Sequence, residues 1–177
     1  MKTWNFHLQQ FAEAVAGKKV IYLYRILANA ASNAATTLAF TTENERSKSK
    51  DADSTATKDG TIRTPGVGEV EITATSVLMK GDTLIDDLEE AMDDNGVIEI
   101  WEVNLEEESS TTSGTYKAKY YQGYLTEITK TSSAEDMVEM SLTFGINGDG
   151  VDGYATVTDS QIEAANYAFV DTTATGA

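Results

Sequence analysis

Gly148-Asp-Gly-Val-Asp-Gly153 has the G-x-G-x-x-G spacing of a dinucleotide-binding turn. That fingerprint works where a strand enters and a helix leaves, because the helix N-terminus then holds the pyrophosphate. Here an extended Tyr154-Ala-Thr-Val-Thr158 follows, and Asp149 and Asp152 would repel phosphate, so the segment reads as a turn. Asn147, Asp149 and Asp152 carry oxygen donors for calcium, but the closing bidentate Glu and the flanking helices are missing, and Asp51-x-Asp53 lacks the turn Gly as well. The acidic pairs Asp86-Asp87, Glu89-Glu90 and Asp93-Asp94 could supply a carboxylate dyad, yet neighbours on a helix point apart, so a solvated face is the expectation. His7 is the single histidine and has no evident partner, and the chain has no Cys, which removes thiol catalysis, disulfides and Cys-bound zinc. No nucleophile elbow or P-loop is present. The residues predict a non-enzyme, with no catalytic residue, no cofactor and no metal.

The charge balance narrows the partners. Lys and Arg number 13 against 29 Asp and Glu, a formal net charge of −16 over 177 residues. Tight wrapping of nucleic acid needs clustered cations that displace counterions, and anionic membrane surfaces attract the same cations. Both are disfavoured. No apolar run approaches the ~18 residues of a membrane helix, and the N-terminus has no continuous hydrophobic segment, so the chain is expected to be made and assembled in a cytoplasm.

The elements follow from periodicity. Leu8, Phe11, Ala12 and Val15 form one helical stripe over residues 6–16, ended by Gly17, and predict a helix that packs on its own domain or serves as an arm on a neighbour. Val20 to Ile26 is dense in β-branched and aromatic residues and reads as a buried strand, with a second strand near residues 37–42. Residues 43–63 have almost no apolar side chain and read as a long exposed loop or hairpin. Their charges cancel, with Arg46, Lys48, Lys50, Lys58 and Arg63 against Glu43, Glu45, Asp51, Asp53 and Asp59. The rest of the chain therefore carries the whole negative charge.

Beyond Pro65 the alternation is clean: Glu69, Glu71, Thr73 and Thr75 take one face, and Val70, Ile72, Ala74 and Ser76 the other. Asp82 caps a helix over residues 82–94 with an apolar side of Leu84, Ile85, Leu88, Ala91 and Met92, stopped by Asn95-Gly96. A strand with Trp101 spans residues 97–105. Two long strands at 115–130 and 137–146 form a hairpin, the second setting Val138, Met140, Leu142, Phe144 and Ile146 against Glu139, Ser141 and Thr143. A short strand at 154–158 and a tail from 159 close the chain. The sum is a mainly β (α+β) protein: an N-terminal arm over 1–17, a β domain over 18–158 and a C-terminal extension over 159–177.

The faces Glu69/Glu71/Thr73/Thr75 and Glu139/Ser141/Thr143 contain no Lys or Arg. Composition alone favours an ordinary solvent face. The alternative is a wall past which a polyanion slides, since DNA carries a charge every ~1.7 Å and a wall within a Debye length of ~8 Å would hold it if cationic.

An ordered set of segments spanning residues 17–158 resembles a known family. It comprises Lys19-Val-Ile-Tyr-Leu-Tyr-Arg-Ile-Leu27, Ser47-Lys-Ser-Lys-Asp-Ala-Asp53, Thr57-Lys-Asp-Gly60, Thr64-Pro-Gly66, Lys80-Gly-Asp82, Ile98-Glu-Ile-Trp-Glu-Val-Asn104 and Tyr116-Lys-Ala-Lys-Tyr-Tyr-Gln-Gly-Tyr124. Their order and spacing resemble the major tail protein, the tail-tube protein, of long non-contractile-tailed phages of Gram-positive hosts.

The resemblance implies two packed antiparallel β-sheets flanked by one α-helix, with six copies in a ring and rings stacked into a hollow tube of the virion. It implies an inner barrel through which DNA passes without specific binding, and a loop that bridges rings. On that basis Glu69, Glu71, Thr73, Thr75, Glu139, Ser141 and Thr143 are expected to face the lumen. The inter-ring loop is expected to hold Glu43, Glu45, Arg46, Lys48, Lys50, Asp51, Asp53, Lys58, Asp59 and Arg63. The implied partners are other copies of the chain, the tape measure protein, and the tail initiator and terminator proteins, with no membrane. Competing readings are another tube-fold component, such as a terminator or baseplate protein, and a monomeric carbohydrate- or calcium-dependent binding module using Trp101, Tyr116, Tyr120, Tyr121 and Tyr124.

Overall fold

The computed structural model describes residues 14–166. The expected helix over residues 6–16 and His7 lie almost wholly outside these, as does the tail after residue 166. Seven strands and two helices follow in the order β1 (Val20–Ile26), β2 (Thr41–Thr57), β3 (Gly60–Val77), α1 (Thr83–Asp93), β4 (Ile98–Glu108), β5 (Thr115–Thr131), β6 (Glu139–Ile146), β7 (Val151–Thr156) and α2 (Asp159–Asn166). All strand pairs are antiparallel. The path across the sheet is β1-β4-β5-β6-β3-β2, with β7 also on β5.

The expected mainly antiparallel β architecture with one principal helix is what the chain forms. Its strands lie in one hydrogen-bonded path, which folds over on itself to give two layers. The long strand β5 belongs to both: Tyr116 to Gly123 pairs β4, and Gly123 to Thr131 pairs β6. A register shift between Leu125 and Glu127 bends the strand there, as an extra residue in a ladder does. The bend also needs Gly123, because a Cβ at that position would drive into the Gly145 carbonyl.

Folding over brings β1 and β4 against β2, β3 and β6. The Tyr24 ring stacks on Phe144 with centroids 5.3 Å apart, and the Tyr24 hydroxyl donates to Asn44 Oδ1 at 3.0 Å. Val70, Ile72, Ala74, Met140, Leu142 and Phe144 supply one side of the core, and Tyr22, Tyr24, Ile98, Ile100 and Tyr121 the other. Helix α1 buries Ile85, Leu88 and Ala91, with Leu84 and Met92 partly covered. Asp82 Oδ1 accepts from the Leu84 amide, and Asn95 takes a left-handed φ of 54° where the helix stops. A smaller cluster of Leu23, Val103, Ala118 and Val157 lies on the back of β1, β4 and β5, with Ile162 of α2 packed on it.

Of the two readings of residues 43–63, the structure shows the hairpin. These residues form two long paired strands, and β2 begins at Thr41 and runs to Thr57. Lys58-Asp59 makes the tight turn, Gly60 supplies a φ of 140°, and Thr57 Oγ1 donates to the Gly60 carbonyl. Backbone pairing holds this hairpin where no apolar core does.

Candidate functional site

Register fixes which side chains share a face. On β3, Glu69, Glu71, Thr73 and Thr75 point away from the core while Val70, Ile72, Ala74 and Ser76 are buried beneath. On β6, Ser141 lies opposite Thr75, Thr143 opposite Thr73, and Glu139 opposite Val77. All seven residues expected to face a lumen therefore stand on one continuous face of two adjacent strands. Thr75 Oγ1 and Ser141 Oγ are 3.3 Å apart across the pair.

The structure widens this face to four strands. Glu43 pairs with Thr75, Glu45 with Thr73, Ser47 with Glu71 and Ser49 with Glu69. On the other flank Thr129 opposes Ser141, Glu127 opposes Thr143, and Tyr124 opposes Gly145. One row thus reads Glu45–Thr73–Thr143–Glu127 from β2 to β5. Six glutamates, 43, 45, 69, 71, 127 and 139, share a surface that bears no Lys or Arg among the described residues. Glu43 and Glu45 were assigned to the loop by sequence because no apolar residue marked their strand. Glu127 was missed because the register shift in β5 hides its face. The alternation of Glu43 and Glu45 with Asn44 and Arg46 was the signal that could have found the first two.

The cations of β2 take the opposite side. Arg46 Nε donates to Glu102 Oε2 of β4 at 2.7 Å, tying the hairpin strand across the two layers. The same carboxylate oxygen accepts from the Tyr121 hydroxyl at 3.4 Å. That hydrogen bond to Glu102 pushes the Arg46 guanidinium up further, and burial, reinforced by the Glu102 charge, pushes the Tyr22 and Tyr121 phenols up. Lys48 Nζ lies 2.9 Å from Asp149 Oδ1. Glu43, Glu45, Arg46 and Lys48 therefore lie on the part of β2 that pairs with residues 70–75 of β3. Lys50, Asp51, Asp53, Lys58, Asp59 and Arg63 lie on the part of the hairpin that extends past the last β3–β6 pair, Val70 with Ile146.

The remaining chemical motifs resolve into structure. Gly148 and Gly150, with φ of 76° and 74°, form a turn from β6 into strand β7, where a nucleotide fold would need a helix. The Lys48 ammonium holds the Asp149 carboxyl below its usual range, and Lys119 Nζ sits 3.4 Å from Asp152 Oδ1, so both acids of the calcium reading already face lysines. The acids of α1 are exposed, as expected for a solvated face. Of the aromatics in the binding-module reading, Tyr121 is buried, Trp101 packs at 5.1 Å on Tyr120 with the Arg25 guanidinium over its ring, and Tyr124 is exposed. Glu99, buried beside them, accepts from Arg25 Nε and from the Tyr120 hydroxyl, both at 2.7 Å. Among the described residues no buried side-chain donor or acceptor lacks a partner and no acidic or histidine cluster is disposed to hold a metal. None of their helices is long and apolar enough to cross a membrane.

Comparison with known proteins agrees with this architecture. A protein of Staphylococcus phage phiMR25 described as a tail protein is 32% identical over 143 residues, covering 78% of this chain and 74% of the relative. The tail tube subunit of SPP1, solved by solid-state NMR and cryo-EM, superposes with a TM-score of 0.70 at 20% identity, over 92% of this chain and 93% of that one. A subunit from the C6-symmetric tail of an empty gene transfer agent particle gives 0.55 at 16% identity, over 82% of this chain and all of the other. The model of the phage tail tube protein family matches residues 14–152. This chain belongs to that family and is a structural component of the phage tail tube.

Proposed function

We propose that six copies of this chain close into a ring whose inner wall is the acidic face of β2, β3, β6 and the second half of β5, and that stacked rings form a conduit for DNA. The observation that carries this is the four-stranded face with six glutamates and no cation. A polyanion moving along it finds no phosphate-binding site to hold it. The two free edges of that face support closure. Among the described residues, β2 pairs only with β3, and Tyr124 to Thr131 pairs only with β6. Long unpaired edges invite association, and joining the β2 edge of one copy to the β5 edge of the next removes both.

Six copies, the symmetry of the gene transfer agent tail, then give a barrel of about 24 strands, more than the 16–18 that already enclose an aqueous channel. The projecting hairpin, with Lys50, Asp51, Asp53, Lys58, Asp59 and Arg63, bridges to the next ring. Other partners are the tape measure protein inside the tube and the initiator and terminator proteins at its ends. The chain does this as a building unit and not as an enzyme.

Negative-stain microscopy of the concentrated, purified protein tests the reading. Rings or tubes are expected, together with slowed amide exchange over Tyr124–Thr131 on assembly. Particles that stay monomeric at every concentration, and in the presence of pre-formed tails as seeds, refute it.

A further inference from the structure

Rings that stack into a tube join unlike ends, and the two ends of this subunit differ. At one end the hairpin overhangs the body by Gly60–Glu69, about 30 Å at ~3.3 Å per residue. The register shift at Lys50/Ala52 puts an extra residue on β3, so Ile62 returns to the side that carries Glu69, and Val67 lies in the bulge beside it. Both are exposed, Val67 to 89%. At the other end β3 stops at Val77, where two backbone hydrogen bonds set Phe40 on one flank and Val138 on the other, with Met79 and Met137 the next residues along. The Val77 amide donates to the Phe40 carbonyl at 3.2 Å, and the Leu78 amide to that of Val138 at 2.9 Å.

Phe40 is 67% exposed and Met137 77%. Phe40 also has a φ of 46°, an uncommon conformation for an aromatic residue. It is held there between Leu38, which is buried, and Thr41, whose Oγ1 donates to the Leu38 carbonyl at 3.0 Å. The turn therefore fixes a large apolar ring outward.

We infer that, within the stacked rings proposed above, Phe40, Met79 and Met137 are the seat for the Ile62–Val67 stretch of a second copy's hairpin in the adjacent ring. The two surfaces lie at opposite ends of one subunit, so their contact is head-to-tail and repeats along the tube without closing. The overhang of about 30 Å matches the eight-residue β3–β6 ladder of about 26 Å, so a hairpin leaving one body spans the next. Methionine side chains adapt to an aliphatic partner, and both surfaces are apolar within an otherwise strongly charged chain. The seat makes growth polar: one end of each ring offers hairpins and the other receives them.

The chain has no Cys, so introduced thiols report contacts without background. Tubes of a Val67→Cys/Met137→Cys double variant, treated with a short bis-thiol linker and run on a denaturing gel, are expected to give a ladder that continues past the number of subunits in one ring. Either single variant is expected to give none. Tubes without a ladder, a ladder that ends at the ring number, or a ladder from Val67→Cys alone refutes the seat while leaving the tube reading intact. A chain that builds no rings or tubes in micrographs refutes both. In a second arm, Phe40→Ser/Met137→Ser is expected to melt at the temperature of the unsubstituted monomer while raising the concentration needed for tubes at least about tenfold. Unchanged tube formation by that variant refutes the seat.

Discussion

In the conduit proposed above, replacing Glu69, Glu71 and Glu139 with Lys is expected to turn a wall that lets DNA slide into one that holds it. All three side chains are exposed on the strand face away from the core, so folding and tube assembly are expected to persist. Net charge moves from −16 to about −10, which leaves the outside of the protein acidic and confines any new DNA binding to the altered face. A ring of six copies would carry about eighteen new ammonium groups, and a duplex touching even ~6 of them at once releases counterions with a log–log salt slope near −5. Affinity then falls by about three decades between 50 and 200 mM salt. The assay is retention of short radiolabelled duplexes by sedimented tubes across a salt series, alongside infectivity of phage carrying the variant. Unsubstituted tubes are expected to retain nothing at any salt. Lys tubes are expected to retain nuclease-protected DNA at low salt, and the variant phage to deliver DNA slowly. Tubes of the variant that bind no DNA at 50 mM salt, or a phage of unchanged infectivity, would show that these carboxylates do not line the channel.

Gly123→Ala forces a Cβ into the Gly145 carbonyl and is expected to cost about 1–3 kcal/mol, a fall of roughly 3–10 °C in Tm by calorimetry. Arg46→Met and Glu102→Gln, measured singly and together by urea unfolding, are expected to show a coupling of about 1 kcal/mol, because the pair is partly exposed. Alkaline unfolding follows from the buried phenols. Tyr121 is pushed up to about 12, with Tyr22 and Tyr24 also raised, so the unfolded chain loses these protons first, from about pH 10. Stability contributed by the neutral phenols is fully present below pH 10 and is lost as pH rises through the folded values. Denaturant midpoints are expected to hold up to about pH 10 and fall steeply by pH 12, and Tyr121→Phe to blunt that fall.

What the sequence disclosed was what local pattern encodes. Val20 to Ile26 is the first strand to the residue, Asp82 caps α1, and the alternation from Glu69 to Ser76 sorts the core from the acidic face as expected. The hairpin was harder, since amphipathic alternation needs apolar residues to be seen and β2 has only Ala52 and Ala56. Asp59-Gly60 between two threonine-rich runs was the cue that it turns tightly. The folding of one sheet into two layers depends on Gly123 meeting Gly145 and on a register shift at Glu127, which are long-range events without a local signature. Glu127 was lost to the acidic face for that reason.

The sharing of β5 between the two layers has a mechanical consequence. With no seam between the two layers, a load on one passes into the other through the covalent backbone of β5. In the proposed tube of stacked rings, bending is then expected at the joints between rings, where the hairpin contacts would set how supple the tail is.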